Sequence, residues 1–220
     1  MDLESLRFAL YLAISLVPAL VLHEYAHAIV AVRLGDPTPR RWGRLTLDPR
    51  PLIDPFGSVI LPILALIIIA ARGAGALVLL PVFAYAKPLP LDASYLRHQR
   101  RDTLLIASAG LAANVVLIFV GGIPIRLGAS GELALFASAW MIVNAYMFGF
   151  QLMPVPGFDG SRLLAPFLPP RAREVFLNLE QYLGLFVLVI FFVLSGPFRS
   201  IAAAFGNIAC NLAAGTDCVV

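Results

Sequence analysis

The sequence predicts an all-α polytopic membrane protein, with about four full transmembrane helices, a re-entrant hairpin and a short β segment. Three observations carry that prediction. Of 220 residues, 60% are hydrophobic and only 13% charged, where soluble domains are nearer ~25% charged. Apolar stretches approaching or exceeding the ~20 residues of a bilayer crossing recur along the chain. The basic residues gather in the loops between them, as membrane topology requires, and the net charge is only +3. A nucleic-acid surface would instead collect basic residues on one face with exposed aromatics, so no nucleic-acid partner is expected.

The first span is read over Leu6–Val32. It is too long for a signal peptide and lacks a basic lead-in, so it is expected to be retained. A basic loop, Arg33 to Pro55, follows. Phe56–Ala70 and Ala76–Ala86 are apolar but short, about fifteen and eleven residues, and Arg72-Gly73-Ala74-Gly75 separates them. A second basic loop covers Lys87–Asp102. The next spans are Thr103–Leu127 and Leu133–Met153, joined by the turn Gly128–Glu132. Pro154–Pro170 is Pro-rich, Arg171–Gln181 is polar, and Tyr182–Phe205 is the last span. Loops one and two and the stretch with Arg162, Arg171 and Arg173 all favour the cytoplasmic side. Phe56–Ala86 should then enter and leave by one face, as a hairpin with its tip near Gly73–Gly75. The alternative is a single tilted helix over Phe56–Pro81, which would invert everything after it. On the hairpin reading both termini are extracytoplasmic, where Cys210 and Cys218 can either pair or remain two unpaired helical cysteines.

The chemistry concentrates at His23-Glu24-Tyr25-Ala26-His27. On a helix, residues four apart share a face, so the two imidazoles can converge on one zinc ion. Glu24 points to a neighbouring side and can reach a metal-bound water without occupying a coordination position. Ionisable residues at bilayer depth are costly and usually functional, facing protein or a water-filled cavity. A catalytic zinc keeps about three protein ligands and one open position. Asp159, in Gln151-Leu152-Met153-Pro154-Val155-Pro156-Gly157-Phe158-Asp159-Gly160, is the candidate third ligand, because the prolines and glycines break the helix and free a carboxylate. Its bland reading is a loop carboxylate that caps a helix or pairs with Arg162. His98 is the rival third ligand, but Arg97, Arg100 and Arg101 around it oppose a divalent cation, and a solvated loop position suits it better. Asn114 is either an oxyanion donor or an interhelical hydrogen bond. Gly43–Leu47, with Leu45 and Leu47 alternating, is either an edge strand able to receive an extended substrate or an ordinary loop strand. Pro88 and Pro90 keep the second loop extended.

These residues resemble the site-2 proteases, zinc metalloproteases that cleave substrates within the membrane. His23, Glu24 and His27 match the family's zinc motif, and Gln151 to Gly160 matches its Asn-x-x-Pro-x-Pro-x-Leu-Asp-Gly motif. Gly43–Pro49 with Ile53–Gly57, Tyr85–Pro90 and Ala109–Asn114 read like the compact bacterial branch without PDZ or nucleotide-sensing domains. The chain departs at Gln151, Phe158, Leu111 and Leu52, where the family has Asn, Leu, Pro and His. The resemblance implies one membrane-embedded metalloprotease domain over 1–220, its catalytic core at about 6–170 and a C-terminal span at about 182–205. It implies one Zn²⁺ per chain on His23, His27 and Asp159, Glu24 as general base, and Gln151 with Asn114 near the substrate or oxyanion. The expected setting is a multi-pass position in a bacterial cell membrane, with the site towards the cytoplasm and a transmembrane protein as substrate. The oligomeric state is not legible. The competing readings are an inactive member that binds membrane partners and a zinc carrier. Against the carrier, ionisable groups gather at one point instead of along a path.

Overall fold

The computed structural model describes residues 3–61, 63, 67, 85–182, 184, 186, 187 and 195–216. Helix α1 runs Leu3–Leu34, and its two sides differ in a way that suits lipid. Leu6, Leu10, Ile14 and Val17 are exposed, whereas Leu12, Ser15, Ala19, His23 and His27 are buried on another face. The apolar stripe faces out and the polar groups face in, the reverse of a water-soluble helix. A four-residue turn, α2 (Thr38–Arg41), leads into the first basic loop. Helix α3 is Gln99–Arg126 and α4 is Gly131–Gln151. The short α5 (Asp159–Leu164) and α6 (Pro170–Asn178) precede α7 (Ser195–Ala214).

Helix α1 packs on α3 and α4, which pack on each other, and α7 lies against both α3 and α4. Tyr146, Leu12, Leu61, Ile118, Met141 and Val143 fill the centre. Residues Leu6–Leu34, Gln99–Arg126 and Gly131–Gln151 form helices long and apolar enough to cross a membrane. Asn114 and Asn144 are fully buried among them, an arrangement tolerable in an apolar bundle only because each finds a hydrogen-bond partner.

The first two basic loops are tied together. Asp36 is fully buried; its Oδ1 accepts from Thr38 N at 2.8 Å and its Oδ2 from Asp92 N at 2.9 Å. Lys87 N donates to Leu52 O at 2.9 Å, and Ser58 Oγ donates to Tyr85 O at 2.9 Å. These bonds hold segment 85–92, which has no regular secondary structure, in place beside the site. The third basic stretch lies close by, with the Arg100 guanidinium 5.0 Å from the centre of the Phe167 ring.

One expectation needs correction. No strand occurs among the described residues, and Gly43–Leu47 is a succession of turns and bends. Its hydrogen bonds close locally: Gly43 N bonds Arg40 O, Arg44 N bonds Pro39 O, and Asp48 N bonds the Thr46 hydroxyl. Gly43 sits at φ +66°, and the Arg44 side chain turns in to Pro51 O. Such local bonds compete with a ladder, and no neighbouring strand is present among the described residues to outbid them. Helix α7 runs on to Ala214, where Gly215 at φ +80° ends it. The proposed hairpin tip at 73–75, most of 62–84, and Cys218 lie outside the described residues; Cys210 is fully buried in α7.

Where α3 meets α7, a Cβ added at Gly122 would lie 2.7 Å from the Ala213 carbonyl oxygen and 2.9 Å from its carbon. Backbone cannot yield as a side-chain tip can, so the helices would have to part. Gly122→Ala should destabilise the fold by ~1–3 kcal/mol, read as a lower thermal midpoint in detergent. An unchanged midpoint would show that α3 and α7 do not pack this closely.

Candidate metal centre

The centre is built outward from α1. His23 and His27 are one turn apart on its buried face, and their Nε2 atoms are 3.1 Å from each other. Helix α3 orients both rings. His23 Nδ1 lies 2.7 Å from Asn114 Oδ1, and His27 Nδ1 lies 2.7 Å from Ile106 O. A backbone carbonyl can only accept, so His27 carries its proton on Nδ1. Asn114 Nδ2 donates to Asn144 O at 3.4 Å, which turns Oδ1 towards His23 and puts that proton on Nδ1 as well. Both Nε2 atoms therefore present lone pairs. Hydrogen bonding at the distal ring nitrogen is how metal-ligating histidines are commonly fixed in tautomer and direction.

The third group arrives from the far end of the chain. Helix α4 ends at Gln151, because Pro154 and Pro156 lack the N–H needed to continue it. The chain turns and restarts as α5 with Asp159 in its first turn, so the carboxylate stands on a helix start and not on the non-helical backbone expected. Asp159 N donates to Gln151 Oε1 at 3.2 Å. At Gly160, a Cβ would sit 2.1 Å from Leu152 O; only glycine lets α5 dock this tightly on the end of α4. That docking brings Asp159 Oδ2 to 3.2 Å from His23 Nε2 and 3.1 Å from His27 Nε2.

Three acceptor atoms thus converge, all on buried residues, and Asp159 Oδ2 has no hydrogen-bond partner. Left alone, such a cluster is electrostatically unfavourable and calls for a cation. A tetrahedral zinc ion with bonds of ~2.0–2.1 Å would space its ligand atoms about 3.3 Å apart. The observed edges, 3.1–3.2 Å, are close to that spacing, and two imidazoles with one carboxylate are a donor set zinc accepts. The residues fit the ion.

Glu24 stands outside the cluster, half-buried, on the wall of a cavity of about 40 Å³. His27, Asp159, Gln151, Tyr85 and Arg162 share that wall. The space admits a few waters. Gln151 borders the cavity, while the Asn114 side chain is turned to His23 and Asn144. His98 is exposed at the start of α3 and takes no part in the cluster. Neither Tyr85 nor Arg162, which pairs with Glu180, carries a site role in the sequence motif. Tyr85 stands near the end of the apolar Ala76–Ala86 stretch and at the start of the Tyr85–Pro90 stretch matched by resemblance.

Gly110 is the tightest test of this packing. A Cβ there would fall 2.2 Å from His27 Nε2 and 2.6 Å from His23 Cε1, so Gly110→Ala should displace the rings and abolish stoichiometric zinc. Asn114→Ala should leave the fold but weaken zinc by ~10–100-fold. Metal analysis and chelator competition on the purified variants check both; wild-type affinity in either would refute the geometry.

No family model and no solved structure matches the chain. Over 193 residues it is 32% identical to the Bacillus subtilis protein named "Putative zinc metalloprotease YwhC", covering 83% of this chain and 80% of that one. It is 32% identical over 181 residues to "Putative zinc metalloprotease Rip2" of Mycolicibacterium smegmatis, covering 78% of this chain and 62% of the relative. Against the protein of the same name from Mycobacterium tuberculosis the figures are 31% over 182 residues, 79% and 63%. The chain thus spans about three fifths of the two Rip2 relatives and most of the first. With its two histidines and one aspartate gathered around a common point, the chain belongs to the zinc metalloprotease family of these relatives.

Proposed function

We propose that the chain is an intramembrane zinc endopeptidase of the site-2 type, hydrolysing peptide bonds in or near the transmembrane segments of membrane-protein substrates. The observation that carries this is the burial of the His23–His27–Asp159 cluster within apolar, membrane-length helices, with Glu24 on the adjoining cavity wall. A soluble peptidase has no reason to enclose its metal donors in a bundle whose outer face is Leu6, Leu10, Ile14 and Val17.

When bound, zinc would supply Lewis acidity, drawing the pKa of a water from 15.7 towards ~7. His23, His27 and Asp159 would hold it, one ion per chain. Glu24 accepts the proton of the attacking water in the cavity and delivers it to the leaving amine nitrogen. Gln151 borders the reaction space with its amide donors, its Oε1 being engaged by Asp159 N. Asn114 acts through His23, whose Nδ1–H it accepts. A substrate helix must unwind before reacting, since its carbonyls are otherwise occupied by i to i−4 bonds.

Sidedness follows from charge. The first two basic loops touch through Asp36–Asp92 and Leu52–Lys87, and Arg100 of the second lies on Phe167 near the third. Three neighbouring basic segments favour the cytoplasmic face of a bacterial membrane, which sets the cavity towards that side.

Glu24→Gln should retain one zinc per chain and lose ~10²–10⁴-fold in kcat on a single-span substrate. Asp159→Ala should lose zinc and activity together. Full activity in Glu24→Gln, or wild-type zinc in Asp159→Ala, would overturn the assignment.

A further inference from the structure

Among the described residues, Arg162 gives the cavity beside the donor cluster a cationic wall. Arg162 lies three residues beyond Asp159 on the same short helix and lines that cavity with Glu24 and His27. Its side chain is only 19% exposed. Nε donates to Glu180 Oε1 at 3.3 Å and Nη2 to Glu180 Oε2 at 3.2 Å, a two-pronged grip that fixes the guanidinium plane. A guanidinium has five N–H donors, so this grip by itself uses two and leaves three.

An ion pair that served only to join α5 to the segment around Glu180 would not need to border the reaction space. Here the guanidinium shares the cavity wall with Asp159 and Glu24. Placing a fixed cation beside a site meant for a divalent one is unfavourable at rest, because like charges repel across a poorly screened interior. The arrangement becomes favourable when new negative charge develops in the cavity. Peptide hydrolysis creates such charge: as water adds to the carbonyl carbon, the C–O bond forms, the carbonyl π pair moves onto oxygen, and Glu24 takes the proton. Collapse restores the carbonyl and expels the amine, which receives that proton. Among the described residues, the other side-chain amide and hydroxyl donors on the wall, Gln151 and Tyr85, are neutral.

Resting on the peptidase reading above, we propose that Arg162 is a catalytic residue: its N–H groups bind the carbonyl oxygen of the scissile bond and stabilise the negative charge it gains. Glu180 is its positioning partner. Electrostatic stabilisers of this type are worth ~10²–10³ in kcat.

The test uses the full chain, zinc-loaded in proteoliposomes, as wild type, Arg162→Met, Arg162→Lys and Glu180→Gln. Three readouts are taken: kcat and KM on a single-span substrate, affinity for a peptide phosphinate that mimics the oxyanion, and zinc affinity by chelator competition. Arg162→Met should lower kcat by ~10²–10³-fold with KM little changed and weaken the phosphinate by about the same factor, while zinc binds at least as tightly. Arg162→Lys should recover part of both losses, and Glu180→Gln should lie between wild type and Arg162→Met. Wild-type kcat and phosphinate affinity in Arg162→Met would overturn the proposal. So would loss of zinc and fold in both Arg162 variants, which would mark a purely structural ion pair. If wild type itself neither cleaves the substrate nor prefers the phosphinate over the matching peptide, the peptidase reading fails, a pattern distinct from an active enzyme indifferent to residue 162.

Discussion

Three lone pairs pointing at one another inside an apolar bundle are the constraint from which the rest follows. His23 Nε2, His27 Nε2 and Asp159 Oδ2 meet at 3.1–3.2 Å. Their residues are nearly out of contact with solvent. A fold does not assemble such a cluster by default, since the hydrogen-bonding needs of buried polar atoms are normally met within the protein. Here Asn114 and Ile106 O satisfy the wrong nitrogens for self-sufficiency and the right ones for holding a cation.

The packing around the cluster is correspondingly unforgiving. Gly110 allows α3 to press against both imidazoles, and Gly160 lets α5 seat directly on the end of α4. Small residues permit helices to approach closely where hydrophobic driving force between them is weak, as in lipid. The polar network runs inward from α1 to α3 to α4 through His23, Asn114 and Asn144, while large apolar side chains cover the outside. The same inside-out distribution that suits a bilayer thus encloses the donor cluster in a setting where charges interact strongly.

The sequence displays the site more fully than the frame around it. His23 and His27 were legible from their i, i+4 spacing, and Asp159 from a carboxylate beside helix-breaking prolines when a third donor was needed. Asn114 was legible as an interhelical hydrogen bond, but its partners on α1 and α4 were not, because no local pattern announces them. Arg162 was visible only as a possible partner of Asp159, and its pairing with Glu180 depends on how α5 and the segment near Glu180 meet. The strand expected at Gly43–Leu47 rested on two alternating leucines. The neighbouring Thr46, Asp48 and Pro49 are turn-forming residues, and they prevail where no paired strand is present among the described residues. In the C-terminal helix Asn207 and Asn211 interrupt apolarity without interrupting helix, and a glycine, Gly215, sets its boundary.

The direct measurement is zinc-edge X-ray absorption on the purified, lipid-reconstituted chain, in wild type and in Asp159→Asn. Wild type should show one zinc with two imidazole scatterers and light-atom ligands at ~2.0–2.1 Å. The substituted chain should keep the imidazole signature at most partially and with altered light-atom coordination. A first shell containing sulfur, fewer than two imidazoles in wild type, or identical spectra for the two proteins would contradict the convergence of His23, His27 and Asp159 on one ion.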